Sequence, residues 1–236
     1  MRAEKPWILD AFSGVGGATK GYQLAGFRVF GVDHAPQPDY CGDDFHQGDA
    51  IEFIARYGHK FAAIVGSPPC QAGCTLTAGT NAGRAYPQLI PQTRAAMWST
   101  GRPWVIENPP GRAPMRRDLL LCGDHFYEDT PEGRRYRLAV IRHRIFELHG
   151  FSVPQPPRCS KKHRGRVSGM RHGKWFTGPY VAVYGDGGGK GTVEQWRAAM
   201  GIDWTWDRKA IAEAIPPLYT EYIGGHLMAA LGRCAA

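Results

Sequence analysis

Short apolar segments alternate with segments of helical periodicity through the first half of the sequence, and this alternation constrains the fold more than any other feature. The pattern predicts strands at 7–12, 27–32, 61–65 and 103–106, and helices at 18–25, 49–57 and 88–100. Strands that alternate with helices are typical of an α/β domain with a mostly parallel sheet. In open sheets of this kind, ligands bind beyond the carboxyl ends of the strands. We therefore expect the functional site at that edge of the sheet.

A glycine-rich turn, Asp10–Gly17, follows the first predicted strand, and the second strand ends at Asp33. Glycine lets the backbone approach a nucleotide-like ligand closely, and an acid after the second strand can accept hydrogen bonds from ribose hydroxyls. A further acid, Asp49, could face an adenine amino group. The turn has neither the dinucleotide spacing nor the lysine of a phosphate loop, so the pattern favours S-adenosylmethionine over NAD. Read singly, a tight turn or an ordinary exposed carboxylate explains each feature equally well.

Cys70 lies on a proline-rich loop, Gly66–Gln71, directly after the third strand, and Glu107 follows the fourth. A thiolate is a strong nucleophile, and a carboxyl group in an apolar pocket has a raised pKa that suits a general acid. The alternative for Cys70 is a small buried hydrophobic side chain. Two prolines and the polar Gln71 disfavour that alternative. A thiol and an acid beside an adenosine site suggest covalent activation of an electrophilic ring.

The positive charge of the chain is concentrated in one segment. The 236 residues carry a net charge of +8, and residues 151–209 hold eleven basic and four acidic residues, a net of +7. This length fits one domain with a small insertion. We predict a catalytic domain from 1–150 and 210–236 and a small basic region at 151–209. Such a region suits a polyanionic partner, although a solvated basic loop is the simpler alternative.

No apolar run is long enough for a membrane span or a signal peptide, so we expect a cytoplasmic protein with reduced cysteines. No metal site is predicted, because the spacing of Cys159, His163 and His172 matches no common zinc pattern. Three tryptophans of the basic region are expected to pack a small core of its own: Trp196, Trp204 and Trp206.

Taken in order, these segments resemble the motifs of the DNA cytosine carbon-5 methyltransferases, in their compact phage or bacterial form. The matching segments are DAFSGVGG from Asp10, VD at Asp33, GSPPCQ from Gly66, IEN from Ile106, RHRIF from Arg142 and the coda from Met200 to Gly224. They run from Leu9 to Leu231 and omit mainly the basic region. The resemblance implies a Rossmann-like S-adenosylmethionine-dependent methyltransferase domain with a small basic inserted target-recognition domain.

The resemblance also implies roles for individual residues. Cys70 would add to carbon 6 of a cytosine flipped out of duplex DNA, Glu107 would protonate ring nitrogen 3, and Arg144 would hold the carbonyl oxygen. Arg142 would support that contact, and Asn108 completes the Glu-Asn motif. The implied methyl-donor site comprises Asp10, Phe12, Ser13, Gly14, Gly16, Gly17, Asp33, His34, Asp49, Ala50, Ser67 and Pro68. The implied DNA contacts are Gln71, Arg158, Lys161, Lys162, Arg164, Arg166, Arg171 and Lys174.

Two other functions stay open at this point. One is the same chemistry on cytosine in RNA, because a related tRNA methyltransferase family also carries Pro-Pro-Cys-Gln. The other is a non-catalytic DNA-binding module on this scaffold. The joint presence of Cys70, Glu107 and Arg144 favours an enzyme, since a binding module needs none of them. By family analogy we expect a monomer that serves DNA methylation in a phage or restriction-modification setting.

Overall fold

A seven-stranded sheet forms the centre of the computed structural model, which describes residues 4–69, 88–131, 133–137, 139–157, 159, 167–171, 173–183 and 191–234. The elements of the first half are β1 (Trp7–Ala11), α1 (Gly17–Leu24), β2 (Arg28–Asp33), β3 (Asp44–Gln47), α2 (Ala50–Tyr57), β4 (Ala63–Gly66), α3 (Leu89–Ser99) and β5 (Trp104–Asn108). Single 3-10 turns cover Gly58–Lys60 and Gly123–His125.

The second half contributes mainly short strands and then three helices. Its strands are β6 (Leu119–Leu121), β7 (Tyr127–Thr130), β8 (Gly133–Tyr136), β9 (Arg144–His149), β10 (Val167–Arg171), β11 (Lys174–Phe176) and β12 (Tyr180–Val181). Its helices are α4 (Val193–Met200), α5 (Arg208–Glu213) and α6 (Pro217–Cys234). α5 and α6 are separate helices, because Pro217 occupies the first position of a new one.

The central sheet has the strand order β3-β2-β1-β4-β5-β9-β6. The pairings from β3 through β5 are all parallel, and β9 runs antiparallel to both β5 and β6. The strand order reverses at β1 and β4, which is the place where ligands bind in such sheets. The predicted α/β fold with a parallel-rich sheet is confirmed.

Helices cover both faces of the sheet. On one face, α1 and α6 pack with buried Tyr22, Tyr219 and Ile223. On the other face, α2 and α3 bury Ile54 and Met97. Both faces of a parallel sheet must be covered, and the continuous apolar runs of β1 and β4 follow from that requirement.

The prediction of a separate tryptophan core is wrong. Trp196 is fully buried in the main hydrophobic cluster, Trp204 packs against the edge of the same cluster, and Trp206 is 63% exposed. Within 151–209 the structure also contains a small sheet of order β11-β10-β12. The division of the chain into two domains stays a prediction. None of the described helices combines the length and the apolarity that a membrane span needs.

Candidate active site

The turn after β1 is held directly by the acid at the end of β2. Gly14 donates its backbone N–H to Oδ2 of Asp33 at 3.0 Å, and Ala35 donates to Oδ1 at 3.0 Å. A carboxylate has about four lone-pair positions, so Asp33 keeps capacity for two further donors. Ribose hydroxyls are donors of the right kind.

The backbone of this turn is unusual at three successive bends. Phe12 has φ of 59°, Gly14 of 50° and Gly16 of 91°, and all three lie in the left-handed region. A non-glycine residue in that region stores strain that is often found at functional sites. Among the described residues, no atom lies within 4 Å of the position that a Cβ on Gly14 would take. The turn is therefore open on that side. Ser13 stays buried and donates its N–H to Val32 O.

Asp10 lies at the end of β1 and is 1% exposed. Thr19 donates its hydroxyl to Oδ2 of Asp10 at 2.6 Å, and the Tyr40 hydroxyl lies 3.1 Å from the same Thr19 oxygen. Burial raises the pKa of Asp10 to about 7, and the neighbouring Asp33 and Glu107 carboxylates raise it further against the opposing hydrogen bond from Thr19. Asp10 thus titrates near neutral pH.

Asp49 has a structural role that the sequence did not assign to it. Its Oδ1 accepts the N–H groups of Ile51 and Glu52, so Asp49 is the N-cap of α2 and Ala50 is the first residue of that helix. His34 extends into solvent with 86% of its side chain exposed, and its Nδ1 lies 3.2 Å from Asp33 Oδ1. These predicted donor contacts stay predictions.

Glu107 forms an ion pair with Arg144 at the end of β5. Arg144 Nε lies 2.7 Å from Glu107 Oε1, and the two side chains are 14% and 7% exposed. Burial raises the pKa of Glu107, while Arg144, a hydrogen bond from Ser67 and the charge of Arg142 oppose that rise. A carboxyl group in this setting gains a proton more readily than an exposed one, as a general acid requires.

Asn108 connects β5 to the loop that follows β4. Its Nδ2 donates to Pro68 O at 2.8 Å and to Glu107 O at 3.0 Å. The predicted nucleophile Cys70 and its neighbour Gln71 lie outside the described residues. The two residues before Pro69, Ser67 and Pro68, are nevertheless placed by direct bonds to the Glu-Asn motif.

Arg142 forms hydrogen bonds to backbone segments that are distant in sequence. Its Nη1 donates to Val183 O at 2.8 Å, its Nη2 donates to Ala212 O, and the Tyr219 hydroxyl donates to Arg142 O at 2.7 Å. The first two bonds use the guanidinium that sequence analysis assigned to support of the cytosine carbonyl, and the third uses the backbone carbonyl of Arg142. Arg142 therefore acts on the site mainly by fixing the chain that leads into Arg144.

The two buried acids line the same small cavity. Asp10 and Glu107 both line it, together with Tyr22, Ser67 and Phe146. The cavity is about large enough for one water molecule. The strand ends thus place two acids with raised pKa values side by side.

One side chain that supports the turn was missed by sequence analysis. Trp204 Nε1 donates to Val15 O at 2.8 Å across 189 positions of sequence. No local sequence pattern could have shown this contact, because the two residues are far apart in the chain. Trp204 lies in the segment from Met200 to Gly224.

Most of the predicted DNA contacts lie outside the described residues: Arg158, Lys161, Lys162, Arg164 and Arg166. Arg171 lies in β10, and Lys174 begins the exposed strand β11. Beside Lys174, Trp175 is 65% exposed and Phe176 is 37% exposed. Exposed aromatic side chains next to a cation are typical of nucleic-acid-binding surfaces.

Solved structures share this architecture at low sequence identity. A prophage-encoded protein of E. coli, described as a DNA modification methyltransferase, matches with a TM-score of 0.63 and 14% identity over 97% of this chain and 100% of its own. The S. pombe Dnmt2 methyltransferase matches with a TM-score of 0.60 and 13% identity over 97% and 99% of the two chains. The Entamoeba histolytica methyltransferase EhMeth matches with a TM-score of 0.56 and 10% identity over 99% of each chain. The chain has the fold of these methyltransferases. Its sequence matches no family model and no curated protein.

Proposed function

We propose that the protein is a DNA (cytosine-5)-methyltransferase that uses S-adenosylmethionine. The observation that carries the proposal is the buried Glu107–Arg144 pair, whose strand is bonded through Asn108 to the loop that leads to Cys70. The resemblance of the motif order and the shared fold support it.

The charge of the proposed donor site supports S-adenosylmethionine as the cofactor. The donor carries a positive sulfonium, and three acids converge on the strand ends: Asp10, Asp33 and Glu107. No described atom lies within 4 Å of the Cβ position at Gly14, so the turn beside Asp33 is uncovered on the side where we place the adenosine group. Phe12, Ser13, Gly16, Gly17, His34, Asp49 and Ala50 are proposed to line the same site, with Ser67 and Pro68 at its inner edge. When bound, the cofactor supplies an electrophilic methyl group.

In the proposed reaction the chain acts on a cytosine that has left the DNA helix. The Cys70 thiolate forms a bond to carbon 6, and Glu107 gives a proton or a hydrogen bond to ring nitrogen 3, so that the electron pair gathers at carbon 5. Arg144 holds the carbonyl oxygen at position 2. Carbon 5 then takes the methyl group, and loss of its proton to a base restores the double bond and expels Cys70.

Target recognition is proposed for residues 151–209, whose net charge is +7. Cations neutralise phosphates, and the exposed Trp175 and Phe176 beside Lys174 offer faces for bases or sugars. The same chemistry on RNA cytosine is the second candidate.

Covalent trapping tests the proposal. DNA in which 5-fluorocytosine replaces cytosine is incubated with the protein and S-adenosylmethionine, because fluorine at carbon 5 cannot leave as a proton does. We expect an adduct that survives denaturation and is missing from Cys70→Ala. A matched RNA substrate is run beside it. An adduct with RNA alone would overturn the DNA assignment, and no adduct with either would overturn the reaction.

The Glu107→Gln variant tests the role of the acid. Glutamine keeps the size of the side chain but cannot transfer a proton, so we expect methyl transfer to fall by roughly 10²–10⁴-fold. Binding of S-adenosylhomocysteine, measured by calorimetry, should change much less, which separates loss of the acid from loss of the fold. Unchanged methyl transfer would remove Glu107 from the mechanism.

A further inference from the structure

Three potential metal ligands from separate parts of the sequence meet beside the arginine motif. They are Cys122, His143 and Cys159, and their ligand atoms all lie within 4.8 Å of one another. The Nε2 atom of His143 lies 3.2 Å from Cys159 Sγ. Cys122 is fully buried and Cys159 is 8% exposed.

The three residues join parts of the molecule with different proposed roles. Cys122 directly follows β6, His143 lies between Arg142 and Arg144, and Cys159 lies near the start of 151–209. The chain that leads to Cys159 is held against β6, because Leu120 and Gln155 exchange two hydrogen bonds of 2.8 Å. The cluster is therefore built by fixed backbone on at least two sides.

We propose that Cys122, His143 and Cys159 bind a zinc ion. Two thiolates and an imidazole are the donors that Zn²⁺ prefers, whereas Mg²⁺ and Ca²⁺ take oxygen ligands. Tetrahedral Zn–S and Zn–N bonds set neighbouring ligand atoms roughly 3.5–3.8 Å apart. The separation of His143 Nε2 from Cys159 Sγ is 3.2 Å, just below that range, and the other two separations are at most 4.8 Å, so small side-chain adjustments close the site. The fourth position is left to water or another external ligand.

Charge balance favours metal binding in this buried position. Two thiolates cancel the charge of Zn²⁺, and a neutral imidazole adds none, so the complex is neutral where an isolated ion would be costly to bury. Binding releases the two thiol protons to solvent. Through Cys159 and His143, the ion would link the first part of the basic region to the segment that carries Arg144. It has a structural role and takes no part in methyl transfer.

Metal content tests the proposal directly. The full chain is purified without added metal, dialysed against a weak chelator and measured by plasma mass spectrometry. We expect about one zinc per chain, and at least a tenfold loss in Cys122→Ser and in Cys159→Ser. Cys41→Ser is the matched control, because Cys41 donates its thiol to Gly16 O outside the cluster, and it should keep its zinc.

A second measurement needs no variant and so does not depend on how variants fold. A strong chelator is added to the native protein while its reactive thiols are titrated, and two further thiols should become reactive as zinc is released. Cobalt substitution should give sulfur-to-cobalt charge-transfer absorption. The proposal would be overturned if the purified protein contained no zinc. It would also be overturned if both serine variants retained zinc. Neither readout involves methyl transfer, so the outcome is independent of the proposed function.

Discussion

The ionisation of Asp10 affects the stability of the folded state. Its pKa is about 7 in the folded protein, against 3.8 for an ordinary aspartate, because burial disfavours its charge. An acid that binds its proton more tightly when folded makes the unfolding free energy fall as pH rises, here between about pH 4 and pH 7. We expect Asp10→Asn, which stays neutral, to remove this loss.

The expected gain is pH-dependent. The unfolding free energy of Asp10→Asn minus that of the natural chain should be roughly 2–4 kcal/mol larger at pH 8 than at pH 4.5. Both are measured by urea denaturation without ligand. Asp44→Asn is the control, since it removes one carboxylate at an exposed position. A pH-independent effect of Asp10→Asn would mean that the carboxyl group is not the titrating group.

Single residues also mark where sequence reasoning succeeds and where it fails. Asp33 and Glu107 lie at the ends of β2 and β5, as the strand pattern predicts, because the carboxyl ends of parallel strands meet at one edge of the sheet. The bonds of Arg142 could not be predicted, since its partners Val183 and Ala212 lie 41 and 70 positions away. The cluster at Cys122 was missed for the same reason.

At the scale of elements, the close packing of α1 on α6 supports the glycine-rich turn Asp10–Gly17. A Cβ on Gly21 would lie 2.1 Å from both Pro217 O and Thr220 Oγ1. Thr220 in turn donates its hydroxyl to Ala18 O at 2.8 Å. The two helices can approach this closely only because position 21 has no side chain. The glycine turn and the C-terminal helix are therefore one packed unit.

Matched glycine substitutions test this packing. Gly21→Ala should destabilise the fold by about 1–3 kcal/mol, because backbone of α6 must move. Gly225→Ala lies in the same pair of helices but is exposed with open space around it, and it should stabilise by about 0.5–1 kcal/mol through helix propensity. Both are measured by thermal and urea unfolding. Equal effects of the two changes would contradict the packing argument.

Two strands of the sheet show the limits of pattern reading. β3 is a polar edge strand whose side chains are mostly exposed, so it lacks the apolar signal on which strand prediction depends. β9 enters between β5 and β6 in the antiparallel direction, and direction is set by the connections and not by composition. The parallel strands β1, β2, β4 and β5 were predicted because they are mostly buried and therefore rich in apolar residues.

At the scale of the whole molecule, the positive charge and the central sheet belong to different parts of the chain. The fold and the buried acids belong mainly to the nearly neutral part of the chain, whereas residues 151–209 carry +7 of the net +8. If that segment contacts DNA phosphates, it must dominate the salt dependence of binding, because each neutralised phosphate releases condensed counterions.

Two triple variants with the same change in net charge test this separation. Lys161→Gln, Lys162→Gln and Arg164→Gln together should lower the slope of log affinity against log salt by up to about 3, at about 0.9 per lost phosphate contact. Lys5→Gln, Arg56→Gln and Lys60→Gln remove three exposed cations from the other part of the chain and should leave the slope nearly unchanged. Binding to one duplex is measured by fluorescence anisotropy across a salt series. Net charge alone predicts equal effects of the two triples, so equal slopes would contradict a special role of the basic region. A loss confined to the first triple would mean that position, and not total charge, determines binding.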